Sequence, residues 1–311
     1  MTNTAFVRTA TALRDRVGDN SFAAILLLLA ICLGSGMAVL IRFLGEGYSV
    51  FQIVFIRSAI MLCVLIPFIM RLGMAAWKTS QPLLVLLRGA TATMGQVLGV
   101  LAIIHLPLAT VQALSFSRSF ILVALGALIL GEIVTWRRWI AVVVGFFGVM
   151  IVLQPGPTMN WAGLYALGST GAFTISIVCA KILLRTHSRS TLMTYNASMQ
   201  AILMVVPAIL VWQAPMGGDW LYFLGMGTLA LCVQPLSLQA FKVGDVSALA
   251  PVEYFRLLTA AAVGFFIFAE VPSTTLWLGA LVIIGANMQT MRLPGSAWLL
   301  RRVGFSTTAD K

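Results

Sequence analysis

Long apolar stretches alternate with short polar connections along almost the whole chain. A helix that spans a membrane needs about 20 mostly apolar residues, and proline, glycine and charged residues divide this sequence into ten such stretches. They lie at about 22–41, 50–70, 82–104, 109–131, 138–154, 161–180, 191–212, 218–241, 245–269 and 274–291. Several connections are only a few residues long, so consecutive helices must be antiparallel. The pattern predicts an all-α polytopic membrane protein with ten transmembrane helices.

A second pattern relates the two halves of the chain. Arg118 and Arg256 lie 138 residues apart. The same offset pairs other uncommon residues, namely Gln96 with Gln234, Gly126 with Gly264, Glu132 with Glu270, Trp139 with Trp277 and Phe116 with Tyr254. Each half holds five helices, an odd number, so the second half crosses the membrane in the opposite sense. The sequence therefore predicts two inverted repeats, 22–154 and 161–293, flanked by tails at 1–21 and 294–311.

Composition and charge fix the class of protein and its orientation. Hydrophobic residues make up 60% of the chain and charged residues 9%, whereas soluble domains carry about 25% charged residues. Of the 20 basic residues, fifteen fall in the two tails and the even-numbered connections, and only Arg42 falls in an odd-numbered one. The positive-inside rule then places both termini in the cytoplasm. The net charge of +11 thus reflects topology and does not indicate nucleic acid binding.

The amino terminus has one alternative interpretation. Three arginines before an apolar run resemble a signal peptide. Because the apolar run continues to about residue 41, we expect it to be retained as the first transmembrane helix.

Charged side chains within the predicted helices are the main functional candidates. A charge at the bilayer centre costs roughly 2.5–3.5 kcal/mol on insertion scales, so such residues normally face the bundle interior. Glu253 and Arg256 are three residues apart and can pair, either simply neutralising each other or lining a cavity as a gating or coupling pair. The residue that matches Glu253 in the first half is Ser115. Arg118 therefore has no partner on its own helix and needs a counter-ion from another helix, from carbonyls or from a substrate.

Two further arginines and two glutamines are weaker candidates. Arg57 and Arg88 lie about two turns from the ends of their helices, where they could extend to the interface or cap a helix end instead of gating a path. Gln96 and Gln234 could bond across helices to hold the bundle together, or they could face a central cavity.

Aromatic and proline positions add to this set. Phe116, Tyr195 and Tyr254 could wall a planar ligand or could simply pack, and Pro235 and Pro251 should bend their helices. The candidate substrate-binding residues are Arg118, Arg256, Glu253, Tyr254, Gln96, Gln234, Phe116, Ser115 and Tyr195, with Arg57 and Arg88 as gating or structural charges.

Motifs of other chemistries do not occur in the sequence. It contains no Walker loop, no HExxH and no cysteine–histidine cluster, and its four cysteines lie in apolar stretches without CxxC spacing. We therefore expect small buried cysteines, no disulfide, no metal, no cofactor and no enzymatic activity. A channel, a membrane scaffold or an intramembrane enzyme without a recognisable motif stays as an alternative to a transporter.

Local strings in both halves resemble the EamA branch of the drug/metabolite transporter superfamily. In the first half these are 106–116 (LPLATVQALSF), 130–132 (LGE) and 138–139 (RW). In the second half they are 254–256 (YFR), 268–272 (FAEVP) and 278–280 (LGA). Arg57 falls where the family often has an arginine in the second helix. Arg118 departs from the pattern, because many members have a proline at that position.

The resemblance implies transport by alternating access, with the fourth and ninth helices beside a central cavity. Members of this family carry S-adenosylmethionine, riboflavin or amino acids. With more arginine than carboxylate inside the bundle, we expect a small anionic or zwitterionic metabolite, since guanidinium groups recognise carboxylate and phosphate through paired hydrogen bonds. The expected partners are this metabolite and membrane lipid. The fifth and tenth helices carry few strongly polar residues and could form an outer packing surface, so a homodimer is possible.

Overall fold

The computed structural model describes residues 19–72, 79, 81–130, 136–154, 161–183, 189–244, 249 and 252–292. Within these residues the chain forms eleven helices of eight residues or more. They are α1 (Asp19–Gly47), α2 (Val50–Leu72), α3 (Pro82–His105), α4 (Leu108–Ser115), α5 (Arg118–Leu130), α6 (Trp136–Leu153), α7 (Ala162–Leu183), α8 (Arg189–Leu210), α9 (Asp219–Val243), α10 (Phe255–Phe268) and α11 (Thr274–Arg292). Because α4 and α5 together occupy the fourth predicted span, the helices account for all ten spans.

Length and hydropathy identify this bundle as a multi-pass membrane protein. Five helical stretches are long and apolar enough to cross a membrane, at Asp19–Gly47, Pro82–His105, Leu108–Leu125, Ala162–Ala180 and Asp219–Ser237. Shorter apolar helices occupy the other five predicted spans, at Val50–Val64, Trp139–Leu153, Thr194–Leu210, Phe255–Phe268 and Thr274–Met288. The prediction of a polytopic all-α protein is confirmed at this level.

The helix bounds of the two halves correspond at the offset found in the sequence. Shifting α6 (Trp136–Leu153) by 138 residues gives 274–291, and α11 is Thr274–Arg292. Shifting α5 (Arg118–Leu130) gives 256–268, and α10 is Phe255–Phe268. The offset therefore matches secondary structure as well as residue type.

Contacts between helices of the two halves also correspond when each helix is replaced by its counterpart in the other half. Helix α3 packs on α7 as α9 packs on α1, and α3 packs on α8 as α9 packs on α2. Three further contacts join corresponding spans of the two halves, namely the second with the seventh (α2 with α8), the fourth with the ninth (α4 with α10) and the fifth with the tenth (α6 with α11). This is the contact pattern of a pseudo-two-fold arrangement. The domain boundaries, the inverted sense of the second half and the cytoplasmic position of the termini stay predictions.

Glycines allow close approach where α3 meets α7. A Cβ atom on Gly95 would lie 3.1 Å from Phe173 Cγ, and one on Gly99 would lie 2.9 Å from Ser169 Oγ. The Ser169 hydroxyl donates a hydrogen bond of 2.7 Å to the carbonyl oxygen of Gly95. Small residues at a membrane helix interface permit this backbone approach, so the contact positions the first half firmly against the second.

Three details differ from the sequence prediction. Helix α1 continues to Gly47 because apolar Phe43 and buried Leu44 extend its packing surface, so Arg42 lies within a helix and not in a connection. The fourth span is interrupted after Ser115. Of the four free cysteines, only Cys179 is buried; the other three face outward on apolar helices, where thiols are tolerated in place of hydrophobes.

Candidate functional site

The fourth span breaks in its middle. Helix α4 ends at Ser115, and α5 begins at Arg118 after a turn formed by Phe116 and Ser117. The amide of Phe116 donates to Ala113 O at 3.2 Å, and the amide of Ser117 donates to Leu114 O at 3.1 Å. These tighter i to i+3 bonds replace regular α-helical bonds at the end of α4, so the two half-helices meet at Phe116.

A side chain from another helix satisfies the interrupted backbone. Asn287 on α11 is 3% exposed, and its Nδ2 donates a hydrogen bond of 3.0 Å to the carbonyl oxygen of Phe116. A backbone group freed inside a membrane needs such a partner, since no water is available there. Asn287 therefore stabilises the break.

The ninth span has a turn at the corresponding place. Val252 and Glu253 are helical, Tyr254 forms a turn, and α10 begins at Phe255. The turns at Phe116 and Tyr254 are 138 residues apart. Their rings meet edge to face, with centroids 5.2 Å apart and planes at 80°. The two breaks thus lie against each other.

Three charged groups surround this contact. Arg256 Nη2 lies 3.5 Å from Glu253 Oε1, and the two side chains are 34% and 30% exposed. Arg118, the first residue of α5, is exposed and interacts electrostatically with both Arg256 and Glu253. Among the described residues Glu253 is a hydrogen-bond partner for Arg256, whereas Arg118 has none. The result is a solvent-accessible group of two cations and one anion.

The half-helices add their own partial charges. Helices α5 and α10 begin at the breaks, and the amino end of a helix carries partial positive charge that favours anions. Helix α4 ends there, and its last carbonyls favour cations. Within the described residues the buried Arg256 Nε lacks a hydrogen-bond acceptor. The site can therefore accept a carboxylate or phosphate beside the arginines and a cationic group beside Glu253.

Of three further residues predicted from the sequence to line the site, one has a hydrogen-bond partner within its own helix. The Ser115 hydroxyl donates to Gln112 O at 2.7 Å within its own helix. Gln96 is half-buried and Gln234 is exposed. No hydrogen bond joins either glutamine to the break residues in the described part of the chain, so both stay predictions as site residues.

Two other candidates lie in packing contacts between helices. Tyr195 packs against an apolar cluster of Val85, Leu183 and Leu192. Arg88 Nη1 donates to Leu192 O at 3.0 Å, and the hydroxyl of Ser176 donates to Arg88 O at 3.1 Å. Both contacts tie α3, α7 and α8 together, which favours a structural role.

Arg57 differs from Arg88. It is half-buried on α2, and its buried Nε has no hydrogen-bond partner in the described ranges. Its role as a gating or structural charge stays a prediction.

Two polar contacts near the breaks were missed from the sequence. The Ser35 hydroxyl donates to Thr259 Oγ1 at 3.1 Å, and Thr259 Oγ1 donates to Arg256 O at 3.2 Å. Together they join α1 to α10 one turn beyond Arg256. The 138-residue offset gives no sign of them, because it relates Ser35 to Phe173 and Thr259 to Ile121.

Comparison with known proteins identifies the family and finds a similar fold. The model of the EamA-like transporter family matches residues 21–154 and again 160–290. A crystal structure that is 18% identical in sequence superposes with a TM-score of 0.58 over 91% of this chain and 99% of that chain. The structural likeness at this identity concerns the fold alone.

Relatives of known activity are named for transport. The chain is 28% identical over 262 residues to an S-adenosylmethionine uptake transporter of Rickettsia felis, covering 84% of this chain and 89% of the relative. It is 29% identical over 232 residues to a riboflavin transporter of Rhizobium johnstonii, covering 73% and 76%. It is 25% identical over 266 residues to a pseudopaline exporter of Pseudomonas aeruginosa, covering 83% and 92%. These names support a metabolite transporter and, indirectly, a protein that is not an enzyme.

Proposed function

This chain belongs to the EamA-like transporter family, and from that membership we propose that it is a secondary transporter for a small anionic or zwitterionic metabolite. The observation that carries the proposal is the meeting of two broken helices at Phe116 and Tyr254, with Arg118, Arg256 and Glu253 around them. Broken helices at mid-membrane whose ends point at a binding site are a recurrent feature of secondary transporters.

The balance of charge at the site favours an anion. Two guanidinium groups and the amino ends of α5 and α10 face a single carboxylate. Surplus positive charge within a membrane-spanning bundle is costly, and a substrate carboxylate or phosphate would compensate it. Arg118 is the residue that we propose to bind this group directly, because it is exposed and has no hydrogen-bond partner among the described residues.

Glu253 gives the site a place for a cationic group as well. Its contact with Arg256 is a single long one of 3.5 Å, so an incoming anion can take over the arginine and leave the carboxylate free to bind an ammonium or sulfonium centre. An S-adenosylmethionine or amino-acid substrate has both charges. Coupling of transport to an ion or proton, if it occurs, would use the same carboxylate.

Transport would proceed by alternating access in an inner membrane, with both termini in the cytoplasm. The symmetric packing of the halves supports two repeats of five helices, and the distribution of basic residues supports the orientation. An odd number of helices in each repeat makes the repeats inverted, so that rearranging one against the other exposes the central site to either side in turn.

A binding screen tests this function. Purified protein is heated with anionic, zwitterionic and cationic metabolites, S-adenosylmethionine among them, and with the uncharged riboflavin, because a ligand that binds the folded state raises Tm by mass action. We expect a shift with an anionic or zwitterionic compound that is lost in Arg118→Ala. Arg118→Lys, the matched variant, should retain part of it, since lysine keeps the charge but not the planar fork.

The same compound is then tested for uptake into proteoliposomes. Accumulation that depends on the protein would confirm transport. A cationic compound that is transported equally well by Arg118→Ala would contradict the proposed substrate class while leaving transport itself intact.

A further inference from the structure

A carboxylate at one end of the bundle joins the two halves. Glu270, just beyond α10, pairs through Oε1 with Arg42 near the end of α1. Its other oxygen, Oε2, accepts a hydrogen bond of 3.0 Å from the amide of Leu108, the first residue of α4. One side chain of the second half thus holds both α1 and α4 of the first.

Arg42 completes the connection. Besides Glu270, its Nη1 donates to Leu106 O at 3.2 Å, in the turn between α3 and α4. Its guanidinium carbon lies 4.7 Å from the centroid of the Phe268 ring at the end of α10. The side chains of Arg42 and Glu270 are 22% and 12% exposed, so the pair is largely removed from water and less screened than a surface pair.

The local backbone is shaped to hold Glu270 in this position. Ala269 has a φ of 51° and caps α10 in the left-handed conformation, which is costly for a residue with a Cβ atom. This turn lets the amide of Glu270 donate to Gly264 O at 3.0 Å. A Cβ atom on Gly264 would lie 2.7 Å from Glu270 Oε2, so a larger residue there would shift the carboxylate from this position.

A second group of hydrogen bonds joins the two halves near the same end of α1. The side-chain amide of Gln52 donates to Gln213 O at 2.7 Å and accepts from Gln213 N at 3.0 Å. The hydroxyl of Tyr48 donates to Asp219 Oδ2 at 2.5 Å. Each of these bonds joins the first half to the second. We call the end of the bundle at which α1 terminates the Arg42 end, and contacts at two places join the halves there.

From these contacts we infer that Arg42 and Glu270 form an ion-pair latch that closes the central site toward the Arg42 end. Helix α4 runs from Leu108 to the break at Phe116, and α10 runs from the break at Tyr254 toward Glu270. The latch therefore joins the outer ends of the two elements that form the site. Separating them, as access from that end requires, means parting the pair. The inference rests on the proposed alternating access.

Site-directed labelling tests the latch without a substrate. In full-length protein with its four native cysteines replaced, a single cysteine at Ser115 reports access to the break. A membrane-impermeant maleimide is applied to membrane vesicles of either sidedness. We expect slow labelling from the Arg42 end in the parent and about tenfold faster labelling in Glu270→Gln, the shift of a two-state equilibrium by about 1.4 kcal/mol. Glutamine can still accept from Leu108, so this variant removes the charge and keeps that hydrogen bond.

Companion variants make the result decisive. Arg42→Gln breaks the same pair from its other partner and should give the same rise, so one correctly folded variant is sufficient. Arg42→Lys keeps the charge and should label nearly as slowly as the parent. Arg88→Gln removes a guanidinium that bonds a carbonyl elsewhere, and it should not raise labelling from the Arg42 end.

Glu270→Gln or Arg42→Gln with the parent's Tm and the parent's labelling rate would overturn the latch. A rise in labelling in these variants without any protein-dependent uptake into proteoliposomes would instead contradict the proposed transport function and leave the latch standing. The failure of the latch and the failure of the proposed function are therefore distinguishable.

Discussion

Glu253 and Ser115 occupy equivalent positions in the two halves but differ in charge. We predict that Glu253→Gln weakens binding of a zwitterionic substrate about tenfold or more, because a hydrogen bond to a charged group contributes about 1.5–3 kcal/mol. The affinity for an analogue of the same substrate that lacks its cationic group should stay unchanged or rise. Isothermal titration of both compounds measures this difference.

Glu46 supplies the control for that prediction. It is an exposed carboxylate near the end of α1, and Glu46→Gln should change neither affinity. An equal loss of affinity for both compounds in Glu253→Gln would show that Glu253 maintains the site without contacting the cationic group.

Asn287 is predicted to stabilise the break at Phe116. Asn287→Leu keeps the approximate volume but leaves the Phe116 carbonyl without this donor, so we expect a loss of about 1–3 kcal/mol in the free energy of unfolding. Thr228→Val is the matched control, since among the described residues the exposed Thr228 hydroxyl bonds within its own helix, to Leu224 O. Thermal unfolding in detergent compares the two, and equal Tm values would contradict the role of Asn287.

The sequence could reveal the charged residues of the site but not their neutral neighbours. Arg118, Arg256 and Glu253 are conspicuous because charges in apolar spans are rare and costly. Asn287 and the Ser35–Thr259 pair are small polar groups of a kind common in membrane helices, and their partners depend on helix rotation and register. The internal repeat does not identify Asn287 as a site residue, because the residue that matches it in the first half is Val149.

At the scale of elements, the interruption of the fourth span shows what propensity could not predict. Neither proline nor glycine occurs between Leu108 and Ile121, and these are the residues that usually mark a break. The carbonyl oxygen of Phe116, at this turn, accepts a hydrogen bond from Asn287, which lies on another helix and 171 residues away in the chain. A contact of this kind is set by tertiary packing and leaves no local signal.

The α6–α11 interface gives a prediction about packing. A Cβ atom on Gly279 would lie 2.8 Å from Gly148 O and 2.5 Å from Val152 Cγ2. Gly279→Ala should therefore push the helices apart and destabilise the protein by about 1–3 kcal/mol. Gly285, on the same helix, has open space around it, and Gly285→Ala should be neutral or slightly stabilising, since alanine favours helix.

Thermal unfolding of both alanine variants measures this difference. Equal destabilisation would show that helix propensity, and not the close contact, decides the outcome.

The Tyr48–Asp219 contact predicts a pH dependence of stability. The hydrogen bond to Asp219, aided by burial, raises the pKa of Tyr48 above its ordinary value of 10. The protonated hydroxyl is thus favoured in the folded state, so its contribution is present below pH 10 and is lost as pH rises through the folded pKa. We expect Tm to fall more steeply above pH 10 in the wild type than in Tyr48→Phe, as measured by unfolding at a series of pH values.

At the scale of the whole molecule, the sequence predicted more than at the smaller scales. The apolar stretches located ten spans, and the 138-residue offset anticipated which helices would correspond. The partners across the halves, such as α3 with α7 and α9 with α1, required the structure, because periodicity within one helix does not identify the helix that covers it.

The orientation in the membrane is a prediction at this scale. The basic residues place both termini in the cytoplasm and the Arg42 end on the opposite face. A protease site added after Lys311 should be cut only in inside-out vesicles, and a thiol reagent should reach Gly218→Cys, in the α8–α9 connection, only in right-side-out ones. The reverse pattern would invert the topology without altering the fold.

The contact between Phe116 and Tyr254 has a consequence for the direction in which a ligand binds. Because these residues are counterparts, their contact lies on the pseudo-two-fold axis, where a truly symmetric pocket would hold a ligand equally well in either of two opposed poses. With serine at position 115 and glutamate at 253, the two poses are no longer equivalent. A bound molecule then has a defined head and tail, so a substrate with two different ends binds in a single direction.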